Sequence, residues 1–356
     1  MFTADRGACT PGAIRVASGA ALFAATNAAA VALYRRGGAS VTSLFIMRSP
    51  IVCGVNAAII FFRQGATAAT DVLLLRTGSA EASRLAMIQS IFKATSQLLA
   101  CISFVFLTYA DAFAVFKGVA TLSTVVVARI MLGSGESLTP AELLCGLLNL
   151  VGILLIAQPP SLMSLLGASA SPSPSPSPPP QRIPPTEEPA HWEPRVTAGL
   201  ILSIVSGGLS AFSATLMRLL SQAGGPHEGR TPPAMLFSFL MVTYFFFFGG
   251  VHVVCRLLGL TELPGWRWGA LVWPSDRLDY ALVGVNSVCT LAAWLATAAG
   301  YQDTRAAMVA FLQLTEMPWV YLLDIFLLGE PTTALATLGC GVVFAGALTV
   351  ALQPKE

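Results

Sequence analysis

The sequence predicts an all-α membrane protein of about ten transmembrane helices, set out as two inverted five-helix repeats. Three observations predict it: a composition too apolar for water, charge-poor runs of bilayer length on both sides of a proline-rich break, and paired sequence marks near the end of each half. Of 356 residues, 55% are hydrophobic and 11% charged, with a mean hydropathy of +0.71, whereas a soluble chain carries roughly 25% charged residues. A water-soluble globule is excluded. One apolar run crosses a bilayer in about 20 residues, so near ten crossings use roughly 200 and leave the rest for loops and one linker.

The elements follow in order. The first run, 13–34, is rich in Ala and ends on Arg35-Arg36. It lacks a short apolar core followed by a cleavage signature, so it reads as an uncleaved span. Runs at 41–62, 85–107, 112–132 and 141–156 follow, each bounded by charge, Gly or Pro. Then comes SPSPSPSPPPQRIPP, ending at Pro185. Proline removes the amide donor and fixes φ, so this stretch forms an extended aqueous spacer and no helix. Beyond it lie runs at 196–219, 233–257, 280–300, 306–328 and 334–352. The organisation is therefore a first repeat at 1–159, a Pro/Ser-rich linker at 160–195 and a second repeat at 196–356.

The halves match near their ends. Tyr109-Ala110-Asp111 opens one span that stops at Gly135-Glu136, and Tyr301-Gln302-Asp303 opens another that stops at Gly329-Glu330. Cys145-Gly146 and Cys340-Gly341 follow, and the closing helices end in Gln158-Pro159 and Gln353-Pro354. An odd number of spans per half inverts one repeat relative to the other, with a binding site expected at the repeat interface.

Several functions are excluded at this level. Lys+Arg (20) and Asp+Glu (18) nearly cancel to +2 without forming the basic patch that nucleic acid requires. The seven cysteines lie far apart with no C-x-x-C pair, and they read as small core residues. His191, His227 and His252 fall in the linker, a loop and near a span end, and no H-E-x-x-H, G-x-S-x-G or metal-ligand cluster is present. No enzyme, cofactor or metal is expected. Neither rings of like charge nor filter loops suggest a channel.

What remains is a short list of charges inside spans. Each costs about 2.5 to 3.5 kcal/mol to insert, so those retained are paired, hydrated or turned to a polar cavity. Arg48, Lys93 and Lys117 lie in spans two, three and four, and Glu316 lies near the centre of span nine. Periodicity adds polar stripes. Gln89, Lys93, Ser96 and Gln97 share one face of span three; Asn286, Thr290, Trp294 and Thr297 share one face of span eight; Gln313, Glu316 and Asp324 align in span nine. Arg48 aligns with Asn56, and Lys117 with Thr121 and Thr124. The plainer account of such stripes is interhelical hydrogen bonding; five polar faces together favour a wet cavity. Fixed cations in low dielectric suit an anionic ligand, Arg and Lys meeting phosphate or carboxylate oxygens. The expected substrate-binding set is Arg48, Lys93 and Lys117 for the anionic group, Gln89, Gln97, Asn56, Asn286 and Gln313 for orientation, Trp294 for stacking, and Glu316 to balance charge or couple ions.

The segment YADAFAVFKGVATLSTVVVARIMLGSGE (residues 109–136) resembles the fourth span of EamA-type drug/metabolite transporters, and FLQLTEMPWVYLLDIFLLGEPTT (311–333) resembles their ninth. The likeness, nearest to the eukaryotic solute carrier 35 branch, covers most of the chain apart from the linker. The Gly133-Ser134 insertion before Gly135-Glu136 departs from the family pattern. The resemblance implies alternating-access transport of a small polar metabolite, such as a nucleotide sugar or another organic anion, with both termini cytosolic. It also implies a supporting or homodimer-forming place for spans five and ten. Nine loop cations on the cytosolic side against seven opposite agree weakly with that orientation. The rivals are an exporter of neutral or zwitterionic metabolites such as amino acids, and a non-transporting membrane scaffold. Golgi, plastid and plasma membrane all fit an integral multi-pass chain, and no sorting motif chooses among them.

Overall fold

The computed structural model describes residues 11–74, 80–107, 109–133, 139–157, 194–222, 233–262, 269–328 and 334–351. The proline-rich stretch, the Gly135-Glu136 and Gly329-Glu330 marks, the two Gln-Pro ends and the side chains of Asp111 and Asp324 lie outside the described residues. The helices are α1 (Pro11–Arg36), α2 (Val41–Gln64), α3 (Ala66–Leu73), α4 (Ala80–Phe106), α5 (Tyr109–Leu132) and α6 (Pro140–Ala157) in the first half. The second half holds α7 (Pro194–Gln222), α8 (Pro233–Leu257), α9 (Arg277–Asp303), α10 (Ala306–Gln313), α11 (Glu316–Leu328) and α12 (Ala334–Ala351). No strand occurs among the described residues.

Local chemistry sets the ends. Pro11, Pro140, Pro194 and Pro233 each stand at the first helical position, where a missing amide costs nothing and the fixed φ suits a helix. Pro194 thus takes the last two residues of the expected linker into α7. Ser40 caps α2 by accepting from the Ser43 amide, and Asp276 caps α9 by accepting from the Asp279 amide at 2.8 Å. The short helix α3, directly after α2, has no counterpart among the expected spans.

Span nine is the main departure from a simple helix count. It is expected as one run, 306–328, but the chain breaks it into α10 and α11 at Leu314-Thr315. Pro318 explains the break. It has no amide to bond the Leu314 carbonyl, and its ring crowds that carbonyl. The backbone tightens instead, with Leu314 N bonding Phe311 O at 3.1 Å and Thr315 N bonding Leu312 O at 3.2 Å. The first residue of the new helix is Glu316.

Among the described residues, eight stretches are long and apolar enough to cross a membrane, one of them running through this break, and α6 and α12 hold two shorter apolar helices. Large apolar side chains stand outward, Ile130 at 77%, Phe246 at 71% and Phe326 at 80% exposure, while Asn56, Gln89, Asn149, Asn286 and many Ser and Thr are buried. Large apolar side chains facing outward around a bundle that buries amides and hydroxyls fit an integral multi-pass membrane protein. The heaviest packing joins α1 with α9, α4 with α7, α5 with α7, and α6 with α12; α2 lies on α8, and α1 also on α10 and α11. Phe45 of α2 stacks on Phe248 of α8 with ring centroids 4.1 Å apart.

The α5–α7 contact depends on one small residue. A Cβ on Gly207 would lie 2.8 Å from the Phe116 carbonyl and 3.0 Å from the Ala120 amide, whereas one on the neighbouring Gly208 would meet nothing within 4 Å. At the α1–α9 end, Arg36 bonds Asp279 at 2.9 Å and Asp276 at 2.5 Å. Beside it, Ser40 and Ser43 hold the Ala270 carbonyl, and the Val272 amide bonds Ser43 Oγ at 2.6 Å. The Asp279 amide first, and then the Arg36 guanidinium, hold the Asp276 carboxyl below its ordinary range.

Two predictions follow from this packing. Gly207→Ala should cost about 1–3 kcal/mol through overpacking, while Gly208→Ala should leave stability unchanged or raise it by up to about 1 kcal/mol; melting temperatures of the detergent-purified chain distinguish them. Because Asp276 binds its proton more weakly when folded, its contribution is present above the unfolded carboxylate pKa of about 3.9 and disappears as pH falls through the lower folded value. A melting-temperature series in acid should therefore show a loss that Asp276→Asn abolishes, and an unchanged acid limb in that variant would contradict the assignment.

Candidate functional site

Lys117 lies in the third turn of α5, and its Nζ forms an ion pair with Oε2 of Glu316. Glu316 begins α11, so its carboxylate also sits at a helix N-terminus, where the backbone dipole favours negative charge. Its other oxygen, Oε1, accepts from Asn27 Nδ2 of α1 at 2.7 Å. The pair is buried, with side-chain exposures of 15% for Lys117 and 4% for Glu316. Three helices from both halves of the chain therefore meet at one charge pair.

Beside Lys117 is a chamber lined by Lys93 (α4), Phe116, Ala120, Thr121 and Thr124 (α5), Ser210 and Ala214 (α7), Tyr301 (α9), and Ala310 and Gln313 (α10). About 40 Å³ of it is open to the centre of a water-sized sphere, room for about three waters at roughly 10–15 Å³ each. From the two lysines the lining runs toward the end of the bundle where α9 finishes and α10 starts. Lys93 Nζ donates to Ser210 Oγ at 3.0 Å and lies 5.7 Å from the Trp294 ring centre; among the described residues it is in no ion pair. Glu316 is not among the lining residues, although it pairs with Lys117. The lining residues thus include two lysines, three hydroxyl-bearing Ser and Thr, a tyrosine and Gln313, with no carboxylate among the described lining.

The other residues expected at the site lie in seams between helices. Gln89 donates to Ser213 at 3.0 Å, and Ser96 and Ser206 exchange bonds with each other's carbonyls at 2.9 and 2.7 Å. With Lys93 and Ser210 these make a polar ladder between α4 and α7. Gln97 turns to Cys101, 3.9 Å from its sulfur. Asn56 donates to Ser238 of α8 at 2.9 Å, and Asn286 donates to the Thr26 carbonyl of α1 at 2.8 Å. Trp294 packs edge-on to Phe23 at 5.7 Å and tilted against Phe237 at 6.1 Å. Arg48, 8% exposed, lies with its guanidinium 3.9 Å over the Phe45 ring and 5.8 Å from that of Tyr244. Its buried Nε has no hydrogen-bond partner, and among the described residues it is in no ion pair.

The structure therefore gathers Lys93, Lys117, Gln313 and Glu316 at one place and leaves Arg48, Asn56, Gln89, Gln97, Asn286 and Trp294 off the chamber wall. Sequence reasoning missed Asn27 and Ser210. Asn27 is the only amide side chain in an Ala-rich, charge-poor run. Ser203, Ser206, Ser210 and Ser213 recur at helical spacing along α7, a stripe that marks the seam with α4.

No protein-family model matches the chain, and no curated protein matches it. Among solved structures, a crystal structure is similar with a TM-score of 0.64 over 96% of each chain at 14% identity. A likeness at that identity extends to the fold alone.

The buried pair makes a direct prediction. Removing one partner strands the other charge, a loss of about 3–5 kcal/mol. Lys117→Met and Glu316→Gln should each lower the melting temperature, and the double variant should lose markedly less than the sum. Additive losses would mean that the two side chains are not energetically paired.

Proposed function

We propose that this chain is a carrier for a small anionic metabolite, working by alternating access between two five-helix repeats. The observation that carries the reading is the chamber: two lysines line it, while the carboxylate that pairs with one of them is not part of the lining. A wall of that sign suits phosphate or carboxylate oxygens. It suits a zwitterion less, because no carboxylate is among the described lining residues.

The packing supports the repeat arrangement. Taking α10 and α11 as one broken span, each half has five long elements. The first of each half lies on the third of the other, α1 on α9 and α7 on α4. The first of each also lies on the fourth of the other, α7 on α5 and α1 on α10 and α11, while second meets second and fifth meets fifth. That exchange is what a twofold axis in the membrane plane between inverted halves produces, with the substrate site at their interface. The broken span beside the site is a second feature such carriers share. Similarity of residues 109–136 and 311–333 to EamA-type transporters of the solute carrier 35 branch points the same way, with α6 and α12 as a supporting or dimer-forming pair.

A nucleotide sugar far exceeds a space that holds about three waters, so loading requires the helices around the chamber to separate. Rocking of one half against the other supplies that motion. A membrane scaffold, the reading of another class, gives no role to Lys93 on the lining of a chamber.

The test is uptake by the full-length chain in proteoliposomes, comparing nucleotide sugars, sugar phosphates and amino acids. An anion should be taken up, and Lys93→Gln should reduce its uptake roughly tenfold or more, as loss of a charge-assisted bond entails, while the melting temperature changes little. Uptake of amino acids alone, indifferent to Lys93, would overturn the anion reading.

A further inference from the structure

Lys117 serves two sides at once. It lines the chamber, and its ammonium bonds Glu316, which does not. An anion entering the chamber meets Lys117 on a lining from which Glu316 is missing, and it competes with the carboxylate for the same ammonium. If the anion wins, Glu316 is left buried at 4% exposure with Asn27 donating to Oε1. A carboxylate so placed is an uncompensated charge in a low-dielectric setting, which a proton cancels.

The groups around Glu316 narrow the choice of compensating charge. Lys117 faces it from α5, and Lys93 from α4 shares its field. Lys93 is itself on the chamber wall and is drawn to the same anion. From α1 comes the neutral Asn27. Helix α10 carries no titratable side chain, α12 carries Cys340, and α6 carries Glu142 in its first turn and Cys145. Apart from Lys93, no second cation among the described residues is paired with or bonded to Glu316.

Resting on the carrier reading above, we propose that Glu316 is a proton-coupling carboxylate: an anion that captures Lys117 makes Glu316 take up one proton, so that anion and proton travel together. The step balances. The Lys117 ammonium–Glu316 carboxylate pair, a bound anion and a proton from water become a Lys117 ammonium–anion pair and a neutral Glu316 carboxyl. One O–H bond forms, no other covalent bond changes, and no electron is transferred. Reversal on the far side releases the anion, returns the proton to water and restores the buried pair.

The experiment is binding to the full-length, detergent-purified chain with sulfate as the probe, because sulfate keeps one charge state across neutral pH. Binding is followed by tryptophan fluorescence and thermal shift. Wild type should bind sulfate up to about tenfold more tightly for each pH unit of acidification, the slope of one linked proton. An indicator dye in weak buffer should register up to one proton taken up per sulfate. Glu316→Gln, which leaves Lys117 free of its competitor, should bind at every pH as wild type does in acid, with no slope and no proton uptake. A wild type that binds sulfate with neither slope nor proton uptake overturns the coupling and leaves the carrier reading standing. A slope that survives in Glu316→Gln overturns the assignment to this residue; should that variant fail to fold, the dye count on wild type still decides the coupling. Absence of binding to sulfate, pyrophosphate and a nucleoside diphosphate alike overturns the anion-carrier reading, and the coupling with it.

Discussion

An ammonium and a carboxylate at mid-depth in a bundle of apolar helices have few arrangements open to them, and the Lys117–Glu316 pair is the one this chain adopts. Either charge alone would cost about 2.5 to 3.5 kcal/mol to insert. Together they cancel, and Asn27 fills one of the remaining acceptor sites on Glu316. The pairing depends on Pro318, since the break it imposes starts a new helix at Glu316 and adds the favourable end of a helix dipole, typically about 0.3–1 kcal/mol. Charge, helix break and amide come from α5, α11 and α1, so the relative placement of these helices is tied to one electrostatic contact.

Around that contact the same polar residue types serve two purposes. Between α4 and α7, Gln89–Ser213 and the Ser96–Ser206 exchange close a seam, each bond being worth about 0.6 kcal/mol by the average of membrane double-mutant cycles. On α5, Thr121 and Thr124 follow Lys117 along a stripe that opens onto the chamber. Lys93 stands where the two uses meet, since it closes a rung of the ladder through Ser210 and also forms part of the wall. Small residues make this economy possible: at Gly207 the backbones of α5 and α7 come close enough that a methyl group would collide, and α7 can then present its serines to α4.

The two ends of the bundle are tied differently. At one, Arg36 bridges Asp276 and Asp279 while the segment after Gly269 is strapped over the start of α2. At the other, Arg15 pairs with Asp303 at 2.7 Å, both partly exposed, and Arg218 holds the carbonyls of Tyr301 and Gln302. The chamber extends toward this second end. Aromatic packing of Phe45, Tyr244 and Phe248 between α2 and α8 fills the interior around Arg48. A guanidinium held over a ring gains about 0.5–2 kcal/mol, which offsets part of the cost of burying Arg48 away from the chamber.

By itself the sequence determined the class of the protein, because hydropathy and run length respond to a solvent, the bilayer, that acts on every residue independently of its neighbours. It placed the helix starts at Pro11, Pro140, Pro194 and Pro233 to within two residues, and it identified the few charges inside spans, for the same local reason. Periodicity could place Gln89, Lys93 and Ser96 on one face, but it carries no information about what that face meets. Only the tertiary structure decided that Gln89 meets a serine and Lys93 the edge of a chamber, that Asn56 and Asn286 close seams, and that Arg48 lies on an aromatic ring. Only the tertiary structure joined Asn27, Lys117 and Glu316, which stand 90 and 199 residues apart along the chain. Contacts between distant helices are set by crossing geometry and close approach, properties of pairs of surfaces that no single helix encodes.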